Sequence, residues 1–243
     1  LGPTPDAGPP IACGAEPTFT GEATYYTFAD GSGNCGFPPS PDDLMVAAMN
    51  APQYAGAVYC GACVHITGPS GEVTVRVVDQ CPECPMGNLD LSPQAFDRIA
   101  ARALGRVPIT WHEVACDVTG PAVYHFKDGS NAYWTAIQLR NHRQRITTLE
   151  AMSGDGTWRS IPRVDYNYFV ADPGLGPGPL TLRATDSHGD VLMDTGVPQL
   201  HAGTGLLQAR AVLAAVDAGQ VDAGVLTPAV ASALPGAHEG TQG

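Results

Sequence analysis

Basic charge is scarce in this chain. Twelve Lys and Arg stand against 24 Asp and Glu, a formal net charge of −12, and only 15% of the 243 residues are charged. Nucleic acids and anionic membrane surfaces are held chiefly through Lys and Arg, so neither is an expected partner. The same balance argues against tight capture of acidic polymers such as pectate or teichoic acid and favours a neutral polymer. Also missing is any apolar run of about eighteen residues, so no membrane-spanning helix is expected. Residues 1–17 (LGPTPDAGPPIACGAEP) hold too many prolines for a regular element and are expected to be a linker. The opening Leu1-Gly2-Pro3 reads as the start of a processed chain.

What the chain does have is 29 Gly and 22 Pro, a composition that favours short strands joined by turns over helices. The length allows one large or two small domains. Seven cysteines point to an oxidising compartment, hence secretion. Cys13 is the expected odd one, because it lies in the proline-rich lead-in.

Strands are expected over 22–26, in a hairpin of 64–67 and 73–78 turned at Gly68-Pro69-Ser70-Gly71, and over 108–114. In the hairpin's second arm Val73, Val75 and Val77 share one face. Ser92 as N-cap and Pro93 at the first position open a helix that repeats Phe96, Ile99 and Ala100. Thr119-Gly120-Pro121 divides the chain. After it come six short strands, over 123–126, 134–140, 146–151, 168–170, 180–185 and 191–194. No helix interrupts them, which suggests a small β-sandwich. Residues 200–243 turn to Ala, Gly and Val; a short helix over 205–215 is expected, with most of the tail outside the fold.

The stretch 60–93, CGACVHITGPSGEVTVRVVDQCPECPMGNLDLSP, concentrates the chemistry. Cys60/Cys63 and Cys81/Cys84 form two C-x2-C pairs with seventeen residues between them, a spacing inside the zinc-ribbon window. Four thiolates at that spacing can close a tetrahedral site. Against zinc, Cys35 and Cys116 flank the pattern and would be left unexplained. A redox role for Cys81-Pro82-Glu83-Cys84 lacks the βαβ surroundings of such motifs. The same stretch holds two carboxylates, Asp79 and Asp90, the number a glycosidase needs. Each also has a structural use: Asp79 as a turn former, and Asp90 as support for the helix that Ser92 opens.

Five segments in order, GEATYYTFADGSGNCG (21–36), CGACVHI (60–66), VVDQCPECPMGNLDLSPQAF (77–96), AYWTAIQLRNHR (132–143) and VDYNYF (164–169), resemble the expansins, particularly the microbial expansin-like proteins. The resemblance covers about residues 20–199. It implies a mostly β protein with four parts: the linker 1–17, a six-stranded double-psi β-barrel over 18–118, an immunoglobulin-like β-sandwich over 121–199 that binds cellulose, and the tail 200–243. It implies a secreted, monomeric protein that loosens plant cell walls by disrupting noncovalent contacts among cellulose and matrix glucans, with no lasting bond cleavage. No metal or cofactor is expected. Disulfides Cys35–Cys60, Cys63–Cys116 and Cys81–Cys84 are implied.

The barrel is also similar to that of the family-45 glycoside hydrolases. On that resemblance Asp90 is the acid, and the base position falls near Phe28, which cannot ionise. Asp79 is the nearer rival and Asp30 the more distant one. Thr24 and Tyr26 are expected beside Asp90 as partners for sugar hydroxyls. Tyr26 stands where the family often has Thr, and Cys81 where it often has an aromatic residue. Tyr133, Trp134 and Tyr166 match an aromatic platform for cellulose, with Lys127 at its rim. Neighbours on a strand face opposite ways, so Tyr133 and Trp134 can share a face only if the strand has not begun or starts with a bulge. Trp111 and His142 are expected to be structural, and Trp158 is assigned to neither surface nor core. Two other functions compete: a weak endoglucanase built on Asp90 with Asp79 or Asp30, and a plain carbohydrate- or peptidoglycan-binding protein.

Overall fold

A computed structural model describes residues 17–27, 29–199 and 207–208. All of these fall within one compact unit, Leu1–Leu213. Cys13, Phe28 and nearly all of the tail lie outside the described residues.

The first lobe is a closed barrel. Its strands are β1 (Thr18–Tyr25), β2 (Val46–Asn50), β3 (Cys63–Gly68), β4 (Gly71–Cys81), β5 (Leu89–Leu91) and β6 (Val107–Val114), in the cyclic order β1-β5-β2-β4-β3-β6. Two pairs, β1 with β5 and β2 with β4, run parallel, and the other ladders are antiparallel. This is the six-stranded double-psi barrel. Alternation is clearest in β6, where Val107, Ile109 and Trp111 point inward and Pro108, Thr110 and His112 outward. Trp111 is fully buried, and its indole N–H donates to Gly87 O at 2.7 Å, so the core carries no unpaired indole donor.

Helix α1 (Ala51–Tyr54) follows β2, and α2 (Pro93–Ile99) follows β5. The Ser92 hydroxyl accepts from Ala95 N at 3.1 Å, the N-cap expected, and α2 buries Ala95, Phe96 and Ile99. Strand β2 was not legible in the sequence, because VAAMN is buried at every position and shows no alternation. Three-residue β5 is too short to carry a period.

The second lobe is a β-sandwich of two antiparallel sheets. Its strands are β7 (Val123–Phe126), β8 (Thr135–Arg140), β9 (Ile146–Met152), β10 (Trp158–Ile161), β11 (Phe169–Ala171), β12 (Leu180–Asp186), β13 (Val191–Val197) and β14 (Leu207–Gln208). The sheet orders are β10-β9-β12-β13 and β11-β8-β7-β14. Tyr124, Ile137, Leu149 and Leu182 fill the space between them. Two expectations are corrected. Residues 158–161 form a strand absent from the expected set. Leu207–Gln208 pair with Tyr124 and Val123 as a strand on the open edge of β7, inside the span 205–215 where a helix was expected; the rest of that span lies outside the described residues.

Three disulfides join Cys35 to Cys60, Cys63 to Cys116 and Cys81 to Cys84. The four ribbon-spaced cysteines are therefore spread over three bridges and do not form a common thiolate cage. Polar contacts join the lobes. Gln138 Nε2 donates to Cys35 O at 2.8 Å, Arg163 Nη1 to Ala57 O at 2.7 Å, and Arg145 pairs with Glu113 at 2.9 Å. His142 is buried at this junction, with its ring against Gly61.

Candidate functional site

Strand register assembles a row of residues that are far apart in sequence. Thr24 of β1 pairs with Asp90 of β5, Asp90 pairs with Ala48 of β2, and Ala48 pairs with Asp79 of β4. Lateral neighbours in a sheet project from the same face. Leu89 and Leu91 point into the barrel, so Asp90 points out. The outer surface thus carries Thr24, Asp90, Ala48 and Asp79 in line across four strands. Ala48 is the low floor between the two acids. Two strand spacings of about 4.8 Å put their Cα atoms roughly 9.6 Å apart.

The two carboxylates live differently. Thr24 Oγ1 donates to Asp90 Oδ1 at 2.5 Å. Burial nevertheless raises the Asp90 pKa above the usual carboxylate range; the Thr24 bond and Arg106 oppose the rise, and Glu83 and Asp79 add to it. Glu83 outranks Asp79 in this effect, a neighbour that sequence reasoning missed. Asp79 Oδ1 accepts from Asn34 N at 2.7 Å and Gln80 N at 2.8 Å, so that oxygen is committed to holding backbone. Gly33 makes the approach possible, since a Cβ there would fall 2.5 Å from Asp79 Cβ. Asp30 turns to its own loop, accepting from Ser32 N at 2.9 Å and Ser32 Oγ at 2.5 Å, and these bonds lower its pKa. The Tyr26 hydroxyl is buried without a hydrogen-bond partner among the described residues. Burial, then Asp79, Asp90 and Asp30, push its pKa up, so it stays protonated.

On the second lobe, Tyr133 and Trp134 precede β8, which starts at Thr135. They sit in a turn closed by Asn131 N donating to Trp134 O at 2.7 Å. Asn131 Oδ1 also accepts from Tyr133 N at 2.8 Å. The constraint of opposite strand faces therefore does not apply to this pair. Tyr133 exposes 84% of its surface and Tyr166 38%, while Trp134 is half-buried and outside the sandwich core. Lys127 Nζ lies 5.9 Å from the Tyr166 ring centroid and 5.2 Å from that of Tyr168. Tyr168 is a further aromatic neighbour that sequence reasoning missed; the Y-x-Y spacing of 166 and 168 was its available signal. Trp158 belongs to the other sheet, with the Arg183 guanidinium 4.2 Å over its ring.

Asn34 connects the two halves. Its backbone N–H holds Asp79, and its Nδ2 donates to Asp165 O at 2.8 Å, next to Tyr166. Tyr54 Oη donates to the same carbonyl at 2.8 Å. The acidic row and the exposed tyrosine are thereby linked by a short chain of hydrogen bonds. Among the described residues, no set of three or more His, Cys, Asp or Glu side chains surrounds a common metal position.

Residues 18–111 match the family model described as lytic transglycolase. Expansin-YoaJ of Bacillus subtilis (strain 168) is 39% identical over 184 residues, spanning 74% of this chain and 78% of that protein. Expansin-like protein 1 of Dictyostelium discoideum is 33% identical over 74% of this chain and 66% of its own length. The crystal structure of the apo Clavibacter michiganensis expansin superposes with a TM-score of 0.75 at 33% identity, covering 82% of this chain and 99% of that one. A mutant of the same expansin in complex with cellohexaose matches with the same TM-score at 32% identity and the same coverage.

Proposed function

The chain belongs to the expansin family, among its microbial expansin-like members, and from that premise we propose that it binds cellulose and associated matrix glucans and loosens plant cell walls without cutting them. The binding surface runs from the row of Thr24, Asp90 and Asp79, with Tyr26 beneath, to Tyr133, Trp134 and Tyr166 with Lys127 beside them. Glucan chains offer flat apolar ring faces edged with hydroxyls. Exposed tyrosines suit the faces, and the acidic row suits the edges. The barrel over 18–118 and the sandwich over 121–199 divide the work. The protein acts as a secreted monomer.

The observation that carries a nonhydrolytic action is the state of Asp79. An inverting glycosidase keeps its second carboxylate about 6.5–9.5 Å from the acid and free to activate water. Asp79 has one oxygen tied to two backbone N–H groups, which holds it as a backbone acceptor. Asp90, with its raised pKa and its bond to Thr24, is a hydrogen-bonding group that competes for glucan hydroxyls.

A lytic or hydrolytic barrel is the second reading, favoured by the transglycolase model over 18–111 and by Glu83 acting on Asp90. A wall-creep assay and a reducing-end assay on one sample separate the two. Creep without released sugar, abolished by Asp90→Ala, supports loosening. Sugar released in proportion to time and lost in Asp90→Asn overturns it. The triple change Tyr133→Ala/Trp134→Ala/Tyr166→Ala is expected to abolish cellulose binding, and undiminished binding would refute the platform.

A further inference from the structure

Two histidines stand side by side on the barrel, away from the row described above. His65 of β3 pairs directly with His112 of β6. Both point outward, opposite to Ile66 and Trp111 in the core, and both are half-buried. Their ring centroids are 5.6 Å apart with 55° between the planes. In the cyclic strand order, β3 lies across the barrel from β5, and β6 lies across from β2. The pair is therefore on the far side from Asp90 and Ala48.

We propose that His65 and His112 form a cross-strand chelate for a borderline divalent transition metal. Imidazole nitrogen binds such ions at about 2.0–2.1 Å, which places the ion about 3.2 Å from each ring centroid. A tetrahedral N–metal–N angle then separates the centroids by about 5.2 Å, and the 90° cis angle of tetragonal Cu²⁺ or Ni²⁺ by about 4.5 Å. The observed 5.6 Å is about 0.4–1.1 Å wider, a gap that side-chain rotation closes. Thr74 Oγ1 lies 3.1 Å from His65 Nδ1 and orients the ring, and the metal takes Nε2 in place of the proton that this nitrogen offers to Glu72. Glu72 Oε2 is 3.4 Å from that nitrogen and adds negative charge beside the ion. With no third ready ligand around a common point, water completes the shell. Two imidazoles favour Cu²⁺ over Ni²⁺ and Zn²⁺, and they do not select Ca²⁺ or Mg²⁺, which require oxygen ligands. Because the ligands sit on two hydrogen-bonded strands of a closed barrel, a bound ion staples β3 to β6.

The test uses the full chain with Cys13 alkylated. Substoichiometric Cu²⁺ is expected to broaden the His65 and His112 imidazole NMR signals before any other histidine's. Calorimetry with Ni²⁺ is expected to show one equivalent bound. Affinity should fall at least about tenfold in His65→Asn and in His112→Asn separately. Ni²⁺ should raise the unfolding midpoint of the natural protein and of neither variant. Broadening centred on another histidine, or affinity that survives either single change, overturns the proposal. The broadening experiment needs no variant and stands even if one fails to fold.

Discussion

Buried at the junction of the two lobes, His142 is expected to make the fold acid-sensitive by a calculable amount. Burial lowers its pKa from 6.5 to about 4, and Arg163 and Arg76 act in the same direction. In the unfolded chain it titrates at its ordinary value. Between pH 6.5 and 4 the unfolded state therefore takes up a proton that the folded state refuses, so stability falls as pH falls through this window. The whole gap is worth about 3 kcal/mol. At pH 5 roughly 2 kcal/mol of it is already lost relative to pH 7.5. That is a sizeable share of a domain stability of about 5–15 kcal/mol. The perturbation is His142→Gln, which keeps a polar side chain and cannot titrate. The assay is urea unfolding of both proteins at pH 7.5 and 5, where most carboxylates remain ionised. The natural protein should lose about 2 kcal/mol more than the variant. Equal losses would refute the reasoning, as would an imidazole NMR titration placing the folded pKa near 6.5.

Asp90→Asn should raise the unfolding midpoint at neutral pH while removing creep activity. Burial raises the Asp90 pKa, so the charged form costs stability as pH rises through the carboxylate range; the gain should vanish in acid, and a lower midpoint at pH 7 would contradict it. Gly33→Ala is expected to cost about 1–3 kcal/mol in chemical denaturation and to weaken glucan binding, because its Cβ meets Asp79 and Val78 O. Binding unchanged beside a stability loss would separate Asp79 from the glucan surface. Cys63→Ser/Cys116→Ser opens a bridge spanning 53 residues and should cost about 4 kcal/mol by the chain-entropy relation, well above the cost of opening Cys81–Cys84, which spans 3. Equal midpoints for the two double variants would refute that ranking.

Local signals in the sequence carried much of this fold. The Ser92-Pro93 start of α2, the alternating valines of β4 and the turns between sandwich strands depend on neighbours within a few residues, and the structure has them in place. Strand β2 escaped because a strand buried on both faces has no period to read. Strand β14 escaped because only the edge of β7, more than eighty residues earlier, makes residues 207–208 extended. Trp158 could not be placed because its neighbour Arg183 comes from another strand.

By itself the sequence determined the family, the β class, the cysteines to be bridged and the exposed aromatics, because those rest on residue identity and short spacing. Only the tertiary structure gave the two acids different surroundings. Thr24 and Asp90 are 66 residues apart and meet through a parallel strand pair, and Asp79 is tied by Asn34 from a distant loop. Hydrogen bonding and burial, which set the carboxylates apart, arise from contacts made only when the barrel closes. The same closure sets His65 beside His112, a pairing invisible to any reading along the chain.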